Sequence, residues 1–183
     1  LKILKDNGIS YIGGGSSYKE AHTPVVREIR GTKIAYLGYT NLLPPSLGSK
    51  SSKPAVAFPD KDQIILDVQK AKTLADVIIV SFHWGDEYET HHNSFQENLA
   101  HIAIDAGANL VVGHHPHVVQ EVEKYNGGYI AYSLGNFVFD QNFSEDTKFG
   151  LALNVTLKNK KIIELKEQKI GFTSSYQPFL VSQ

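Results

Sequence analysis

The alternation of apolar and amphipathic segments in the middle of the chain predicts two buried strands joined by a helix. Residues 77–82 form an apolar segment bounded on both sides by polar residues, which is typical of a central strand covered on both faces. A second, shorter apolar segment spans residues 109–112. Between them, residues 93–106 place apolar side chains at helical spacing; these are Phe95, Leu99, Ile102 and Ala106, followed by Gly107 as the helix cap.

A strand, a helix and a strand of these lengths form a βαβ unit, so we expect the two strands to be parallel. Parallel strands end at the same edge of their sheet, and open α/β folds place their sites at that edge. The residues that follow positions 82 and 112 should therefore lie close together.

The flanking patterns predict further elements on both sides of this unit. Residues 25–30 and 33–40 predict a β-hairpin, and residues 41–59, which hold four of the seven prolines, predict a long loop that is a candidate lid. Downstream, residues 118–125 and 129–133 predict one hairpin, and residues 151–157 and 162–170 predict another. A second helix should run from its Asp60 cap to about residue 75; its inward positions are Ile64, Ile65, Val68, Ala71 and Leu74.

The first fifteen residues read as the end of a helix and a short strand. Residues 1–8 resemble the last turns of a helix with Gly8 as the cap, and residues 9–12 predict a strand closed by three glycines, which favour a flexible turn over a phosphate cradle. Because the chain lacks methionine altogether and opens on these helix-like residues, we expect it to be a fragment whose upstream part is missing, with any signal peptide or anchor.

Composition limits the classes of function. The 183 residues suit a single domain over residues 1–183, and the expected architecture is an α/β layered domain with antiparallel additions. The formal net charge of −1 gives no reason to expect a nucleic-acid partner. Because the chain has no cysteine, any metal must be held by nitrogen and oxygen ligands.

Histidine is concentrated where the two predicted strands end. Seven of the eight histidines lie between His83 and His117. Pro116 disfavours the helical region for His115, so we expect an extended segment in which His115 and His117 point to the same side. His83 ends the neighbouring strand, so the three imidazoles form a candidate ligand set for Zn²⁺, Mn²⁺ or Fe²⁺. Such an ion polarises an ester or phosphoryl oxygen and activates water.

Other polar and aromatic residues near these strand ends each have functional and structural interpretations. Glu87 is either a general acid or base, or a group that orients a ligand, or else a solvated loop carboxylate. His114 points away from its neighbour, toward substrate or solvent. Asn136 is a turn residue or a polar group in the site, and Trp84 and Tyr88 either wall a pocket or pack in the core.

The remaining histidines carry weaker patterns. His101 lies four residues after Glu97 and favours a surface ion pair. His91 and His92 favour exposed loop positions, and His22 has no supporting pattern.

Three motifs stand out along the chain: His83-Trp84-Gly85-x-Glu87-Tyr88, Gly113-His114-His115-Pro116-His117-Val118-Val119-Gln120 and Tyr132-Ser133-Leu134-Gly135-Asn136-Phe137. Together they resemble the CapA-type bacterial capsule-synthesis proteins, which are related to the calcineurin-like metallophosphoesterases. The motifs occur in the expected order, and the resemblance covers essentially the whole chain. It implies a metallophosphoesterase-like layered sheet sandwich flanked by helices, incomplete at its N-terminus.

The resemblance also implies site roles and a biological setting. His83 and His115 would serve one divalent ion and His117 a second, while an upstream Asp strand and Asn-His segment that would complete the site do not occur here. We therefore expect this fragment by itself to be inactive. The parent would act on poly-γ-glutamate or another anionic polymer or ester in the cell envelope, outside the cytoplasm, with other capsule-synthesis membrane proteins. A general metallophosphoesterase and a non-enzymatic assembly component are the alternatives.

Overall fold

The computed structural model describes residues 1–48 and 53–181. Residues 49–52 belong to the predicted 41–59 loop and lie outside the described part, as do the last two residues. The elements in chain order are α1 (Lys2–Asp6), β1 (Gly14–Gly15), α2 (Tyr18–Ala21), β2 (Val25–Ile29), β3 (Thr32–Thr40), β4 (Ala55–Val56), α3 (Lys61–Lys72), β5 (Val77–His83), α4 (Ser94–Ala106), β6 (Leu110–His114), β7 (Val122–Tyr125), β8 (Gly128–Ala131), β9 (Phe149–Lys158), β10 (Lys161–Phe172) and β11 (Pro178–Leu180), with 3-10 turns at Pro45–Gly48 and Asp146–Lys148.

A six-stranded sheet in the order β2-β3-β5-β6-β8-β7 organises the fold. Strands β3, β5, β6 and β8 run parallel, and the two edge strands pair antiparallel to their neighbours. The βαβ unit predicted from the apolar pattern is confirmed. The consequence for function is that the ends of β5 and β6 stand side by side at one edge of the sheet.

Both long helices pack against the same face of this sheet. Ile64, Val68 and Ala71 of α3 are fully buried, together with Ala100 and Ala103 of α4. The alanines let the helix backbone approach the strands closely, and burial of this surface supplies the main stabilising free energy.

Two of the predicted inward side chains are exposed. Leu74 is 45% exposed because α3 ends at Lys72, so helical spacing no longer applies to it. Phe95 is 43% exposed because the inward face of α4 is instead formed by Gln96, Leu99 and the alanines. The expected caps Asp60 and Gly107 are confirmed, since the Asp60 side chain accepts the Gln63 backbone N–H and Gly107 ends α4 in the left-handed conformation. The Asn93 side chain also caps the start of α4, by accepting the Gln96 backbone N–H.

The opposite face of the sheet is covered less completely. Ile79 and Ser81 of β5 and Val112 of β6 are half-buried there, whereas Val80 and Phe82 are buried under the helices. The expectation that β5 is covered on both faces is therefore confirmed only on the helix side.

Three predicted hairpins are present, and their turns follow from local chemistry. Asn126 and Gly127 both have positive φ between β7 and β8, and Asn159 and Lys160 do the same between β9 and β10. Positive φ at both central positions matches the right-handed twist of the strands. The third hairpin, β2–β3, turns at Arg30 and Gly31. A third strand, β11, extends the β9–β10 sheet and had no counterpart among the predicted elements.

The predicted strand over residues 9–12 is wrong. That segment has no strand pairing, and the glycines after it form the two-residue β1, which pairs with β4 from the 41–59 segment. The expected cap at Gly8 is displaced by one residue, because Asn7 is the cap and Gly8 follows it with φ +70°. None of the helices described over residues 1–48 and 53–181 combines the length and apolarity needed to cross a membrane.

Candidate metal centre

The parallel register brings two histidines together at the sheet edge. His83, the last residue of β5, pairs with His114, the last residue of β6. The residue before His114 is a glycine because no side chain fits at position 113: a Cβ on Gly113 would lie 1.8 Å from the Tyr132 carbonyl oxygen and 2.5 Å from Trp84 Nε1. The glycine of the histidine motif is therefore required by close packing against β5 and the residue after β8.

The segment after β6 is not extended. His115 has φ +104° and His117 has φ +61°, in a region that side chains other than glycine rarely adopt. The prediction of an extended His115 is wrong, although the two imidazoles do meet. Tyr88, which faces them, also has positive φ, and its N–H donates to the Pro116 carbonyl at 2.8 Å. Such backbone strain costs about 1–3 kcal/mol per residue and is typical of functional sites.

A compact group of donor atoms results from this turn. Among the described residues, Glu87, His115 and His117 bring one ligand atom each within 4.8 Å of one another. His83 lies beside this group, its ring centroid 5.0 Å from that of His115. Two imidazoles and a carboxylate suit a divalent transition ion. The three donor atoms that lie closest together therefore belong to Glu87, His115 and His117, whereas the sequence pattern favoured His83 as the third ligand.

Asn136 orients one of the imidazoles. Its Oδ1 accepts a hydrogen bond from Nδ1 of His117 at 2.9 Å, and its Nδ2 donates to the Thr147 carbonyl at 3.0 Å. Because Asn136 is only 4% exposed, its amide is used within the protein. The hydrogen bond to His117 favours the interpretation of Asn136 as a polar group aimed at the site. The side chain orients His117, however, and does not face an open substrate pocket. Thr147, whose carbonyl accepts the hydrogen bond from Asn136 Nδ2, is itself buried.

Aromatic side chains form one wall of the candidate site. The Tyr88 ring lies 6.1 Å from the His117 ring, and Phe139 lies 5.0 Å from the same ring on another side. Gln141 donates through Nε2 to the Tyr88 hydroxyl at 3.1 Å. Tyr88 therefore lies beside the candidate ligands, and its contact with a substrate stays a prediction.

Trp84 does not line the site. It is 0% exposed, stacks on Phe82 at 4.2 Å and donates through Nε1 to the Tyr132 carbonyl at 3.0 Å. The side chain points to the helix-covered face, because alternate residues of a strand face opposite sides. The interpretation of Trp84 as a pocket wall is therefore wrong; it is a core residue.

A clamp holds the loop that carries Glu87. The Gln120 amide donates to the carbonyls of Glu89 and His91 at 2.8 Å and 3.1 Å and accepts from Gln96 Nε2 at 2.9 Å. Glu121 adds hydrogen bonds with His91 and His92. Sequence analysis did not predict this clamp, because it joins residues about thirty positions apart. The one signal for it in the sequence was that Gln120 is the last residue of the histidine motif.

Burial and neighbouring charge favour neutral imidazoles at the site. Burial lowers the pKa of His114. Burial also lowers the pKa of His83, with the nearby imidazoles of His115, His114 and His117 acting in the same direction. The pKa of His115 is lowered by burial, although the Glu87 charge opposes this. A neutral imidazole is the form that ligates a metal ion.

The other histidines take structural roles. His101 pairs with Glu123 at 3.1 Å and stacks on Tyr125, so the ion pair expected with Glu97 is formed with a different residue. His91 is exposed as expected, whereas His92 is half-buried against the Tyr132 ring. His22 is buried, and its Nδ1 lies 2.7 Å from the Asp67 carboxylate.

The chain shares its fold with solved 5'-nucleotidase and sulfate thiohydrolase structures. It superposes on a 5'-nucleotidase precursor from Thermus thermophilus with a TM-score of 0.55 and 16% identity, covering 97% of this chain and 36% of that one. The Thermus thermophilus sulfate thiohydrolase SoxB gives the same TM-score at 15% identity, covering 81% of this chain and 24% of that one. The predicted metallophosphoesterase-like fold class is confirmed.

Sequence similarity then assigns the family. Residues 1–141 match the family described as bacterial capsule synthesis protein PGA_cap, and the chain belongs to that family. It is 40% identical to the PGA biosynthesis protein CapA of Bacillus subtilis (strain 168) over 86% of this chain and 42% of the relative. It is 36% identical to the capsule biosynthesis protein CapA of Bacillus anthracis over 79% of this chain and 36% of the relative. The chain thus spans about two fifths of the length of these relatives.

Proposed function

We propose that this chain forms part of the metal-dependent site of a capsule-synthesis protein that acts on poly-γ-glutamate or a related anionic polymer. The observation that carries the proposal is the meeting of Glu87, His115 and His117 donor atoms within 4.8 Å at the end of parallel strands. The names of the two CapA relatives support the capsule setting. A relative in Mycobacterium tuberculosis, 28% identical, is named a probable polyglutamine synthesis accessory protein.

The donor atoms of Glu87, His115 and His117 are the ones available to hold divalent metal, with His83 as the nearest further ligand. Mn²⁺, Zn²⁺ and Fe²⁺ all accept imidazole and carboxylate together. We further propose that the complete site holds two ions, with His83 and His115 serving one and His117 the other. When bound, such an ion supplies Lewis-acid polarisation of a substrate oxygen and lowers the pKa of water.

The chain's own residues have distinct roles in this proposal. Asn136 accepts from Nδ1 of His117 and so fixes the ring with its other nitrogen available as a ligand. His114, half-buried at the end of β6, is the group proposed to move a proton to or from the substrate. Tyr88 and Phe139 place aromatic rings beside the His117 imidazole. Glu87 is assigned as a ligand in preference to a free acid or base, because its carboxylate lies among the imidazole nitrogens.

Hydrolysis of phosphate esters is the second candidate function. The observation that favours it is the shared fold with the 5'-nucleotidase precursor. We also propose an envelope location outside the cytoplasm, with an anchor outside residues 1–183 and with capsule-synthesis membrane proteins as partners, because capsule polymers are assembled at the cell surface. Fractionation of cells producing the complete protein tests that location.

Metal analysis of the complete protein, beside its His115→Ala variant and a His101→Ala control, tests the site. We expect the wild-type protein and the control to retain Mn²⁺, Zn²⁺ or Fe²⁺ after equilibrium dialysis and His115→Ala to lose it. Unchanged metal content in His115→Ala would overturn the ligand assignment. Activity of the complete protein is then compared on poly-γ-glutamate and on a phosphodiester. Turnover of the phosphodiester alone favours the second function. If the protein binds metal and polymer but turns over neither substrate, an assembly role is favoured.

A further inference from the structure

A groove of about 260 Å³ lies beside the candidate metal centre. One side is the segment that carries Phe139, Gln141 and Asn142, and the other is the turn between β10 and β11 that carries Thr173 and Tyr176. We call it the lateral groove. The candidate site described above uses Phe139 and Gln141, but nothing in it uses the rest of the groove.

The lateral groove adjoins the histidine site. Phe139 lines the groove, and its ring lies 5.0 Å from the His117 ring. Gln141 bridges the two regions as well, because it donates to the Tyr88 hydroxyl at 3.1 Å and accepts from Asn136 Nδ2 at 3.4 Å. A linear ligand whose reacting group lies at the histidines would extend directly into this groove.

The walls of the lateral groove combine flat apolar surface with polar groups. Phe139 and Phe172 contribute aromatic rings, and the Asn142 amide donates to the Tyr176 hydroxyl at 3.4 Å. Phe139 is 42% exposed, and its neighbours Phe137 and Val138 are exposed by 60% and 65%. A contiguous apolar exposure of this kind next to polar groups is typical of a ligand-binding surface.

Lys148 supplies positive charge to the lateral groove. Its ammonium lies 2.5 Å from the Glu145 carboxylate, but Glu145 is 81% exposed. A surface ion pair of this kind contributes little, because both groups are well solvated when separated. A carboxylate of a ligand in the groove can therefore replace Glu145 as the partner of Lys148.

We propose that the lateral groove binds a segment of an amide-linked, carboxylate-bearing chain that continues away from the histidine site. Each unit of such a chain presents methylene groups to the rings, an amide to Asn142 and Tyr176, and a carboxylate to Lys148. The inference rests on the proposed function, because it assigns the direction in which the polymer leaves the metal centre. It makes Lys148, Asn142 and Tyr176 determinants of specificity for long substrates.

Binding of a fluorescently labelled long γ-glutamyl oligomer tests the inference, with polyphosphate as a polyanion that lacks amides. The variants are Lys148→Gln, Asn142→Ala and Tyr176→Phe, and the matched control is Lys161→Gln at the opposite end of β10. We expect the Kd of the oligomer to rise about fivefold in Lys148→Gln and to stay unchanged in the control. Asn142→Ala and Tyr176→Phe should weaken binding of the oligomer and leave binding of polyphosphate unchanged.

Metal content of the complete protein, measured for each groove variant, separates the two proposals. The groove variants should retain the metal of the wild-type protein, since none of the substituted residues is a candidate ligand. The groove assignment is overturned if none of the three variants weakens oligomer binding, or if Asn142→Ala and Tyr176→Phe weaken polyphosphate binding as much as oligomer binding; the metal site then still stands. Absence of metal from the wild-type complete protein overturns the proposed function itself, whatever the oligomer does.

Discussion

The Oδ1 of Asn136 lies 2.9 Å from Nδ1 of His117, and this contact decides which nitrogen of His117 is available as a ligand. A carbonyl-type oxygen accepts a hydrogen bond, so Nδ1 carries the proton and Nε2 has the free lone pair. The Asn136 amide is itself fixed by the Thr147 carbonyl. The orientation of a proposed ligand is thus set by residues well downstream of it in the chain.

Replacing Asn136 by leucine should weaken metal binding by about 10- to 100-fold, the range typical of lost partners that orient a ligand. Asn136→Asp keeps the acceptor oxygen and should retain most of the affinity. Competitive titration with a chelating dye measures both. Equal affinity in Asn136→Leu and the wild-type chain would contradict the orienting role.

Replacing Gln120 by leucine should loosen the loop that carries Glu87. The substitution removes the donors to Glu89 and His91 and leaves Gln96 Nε2 without its acceptor, which costs about 1–3 kcal/mol of the free energy of unfolding. Hydrogen exchange should become faster at residues 89–92, and urea denaturation should report the lost stability. Gln168→Leu is a matched control, because Gln168 donates to the Val181 carbonyl far from this loop; it should leave exchange at 89–92 unchanged.

The Glu121 carboxylate should make stability depend on pH in the acid range. Burial raises its pKa, but the hydrogen bonds from His91, His92 and backbone N–H groups outweigh burial and lower the pKa to about 2 from 4.5. A carboxyl whose pKa is lowered in the folded state stabilises the protein above its unfolded pKa, and this contribution is lost as the pH falls from about 4.5 toward about 2.

The effect is small, at most about 1 kcal/mol, because Glu121 is 40% exposed and solvent screens its charge. Glu121→Gln should therefore be slightly less stable than the wild-type chain at about pH 6, and the gap should close on acidification. Urea denaturation of both proteins across this acid range measures the difference. A gap that widens on acidification would show that the sign assigned to Glu121 is wrong.

Trp84 should report the integrity of the core and not the occupancy of the site. It is the one tryptophan of the sequence and is fully buried, so acrylamide should quench its fluorescence weakly both with and without metal or oligomer. Trp84→Ala should lower the free energy of unfolding by about 3–5 kcal/mol through the cavity it creates. If acrylamide quenched the fluorescence strongly and bound metal or oligomer reduced that quenching, Trp84 would lie in the site.

The sequence was informative where local patterns decide the structure. The apolar segment before His83, the Asn126–Gly127 turn and the Asp60 cap all act within a few residues, and the structure has each where it was predicted. The parallel arrangement of β5 and β6 followed from the length of the helix between them, because a crossover of that length has one favoured hand and direction.

The sequence was misleading where a longer-range contact overrides local preference. Pro116 favours an extended His115, yet His115 has φ +104° in a turn whose Pro116 carbonyl accepts a hydrogen bond from the Tyr88 backbone N–H. Trp84 follows the site residue His83 in sequence, but its side chain points into the core because alternate residues of a strand face opposite sides. Phe95 fits the helical spacing of α4, although close approach of Ala100 and Ala103 to the sheet rotates it outward.

The sequence by itself determined the sheet edge at which the candidate site lies, because strand lengths and the glycine before His114 are local properties of the chain. Only the tertiary structure decided which donors meet. The loop of Glu87 is brought to His115 and His117 by Gln120 and Glu121, through hydrogen bonds between segments that no periodicity connects. Those contacts depend on the three-dimensional packing of the loops, whereas the position of the strands depends on patterns that each segment carries alone.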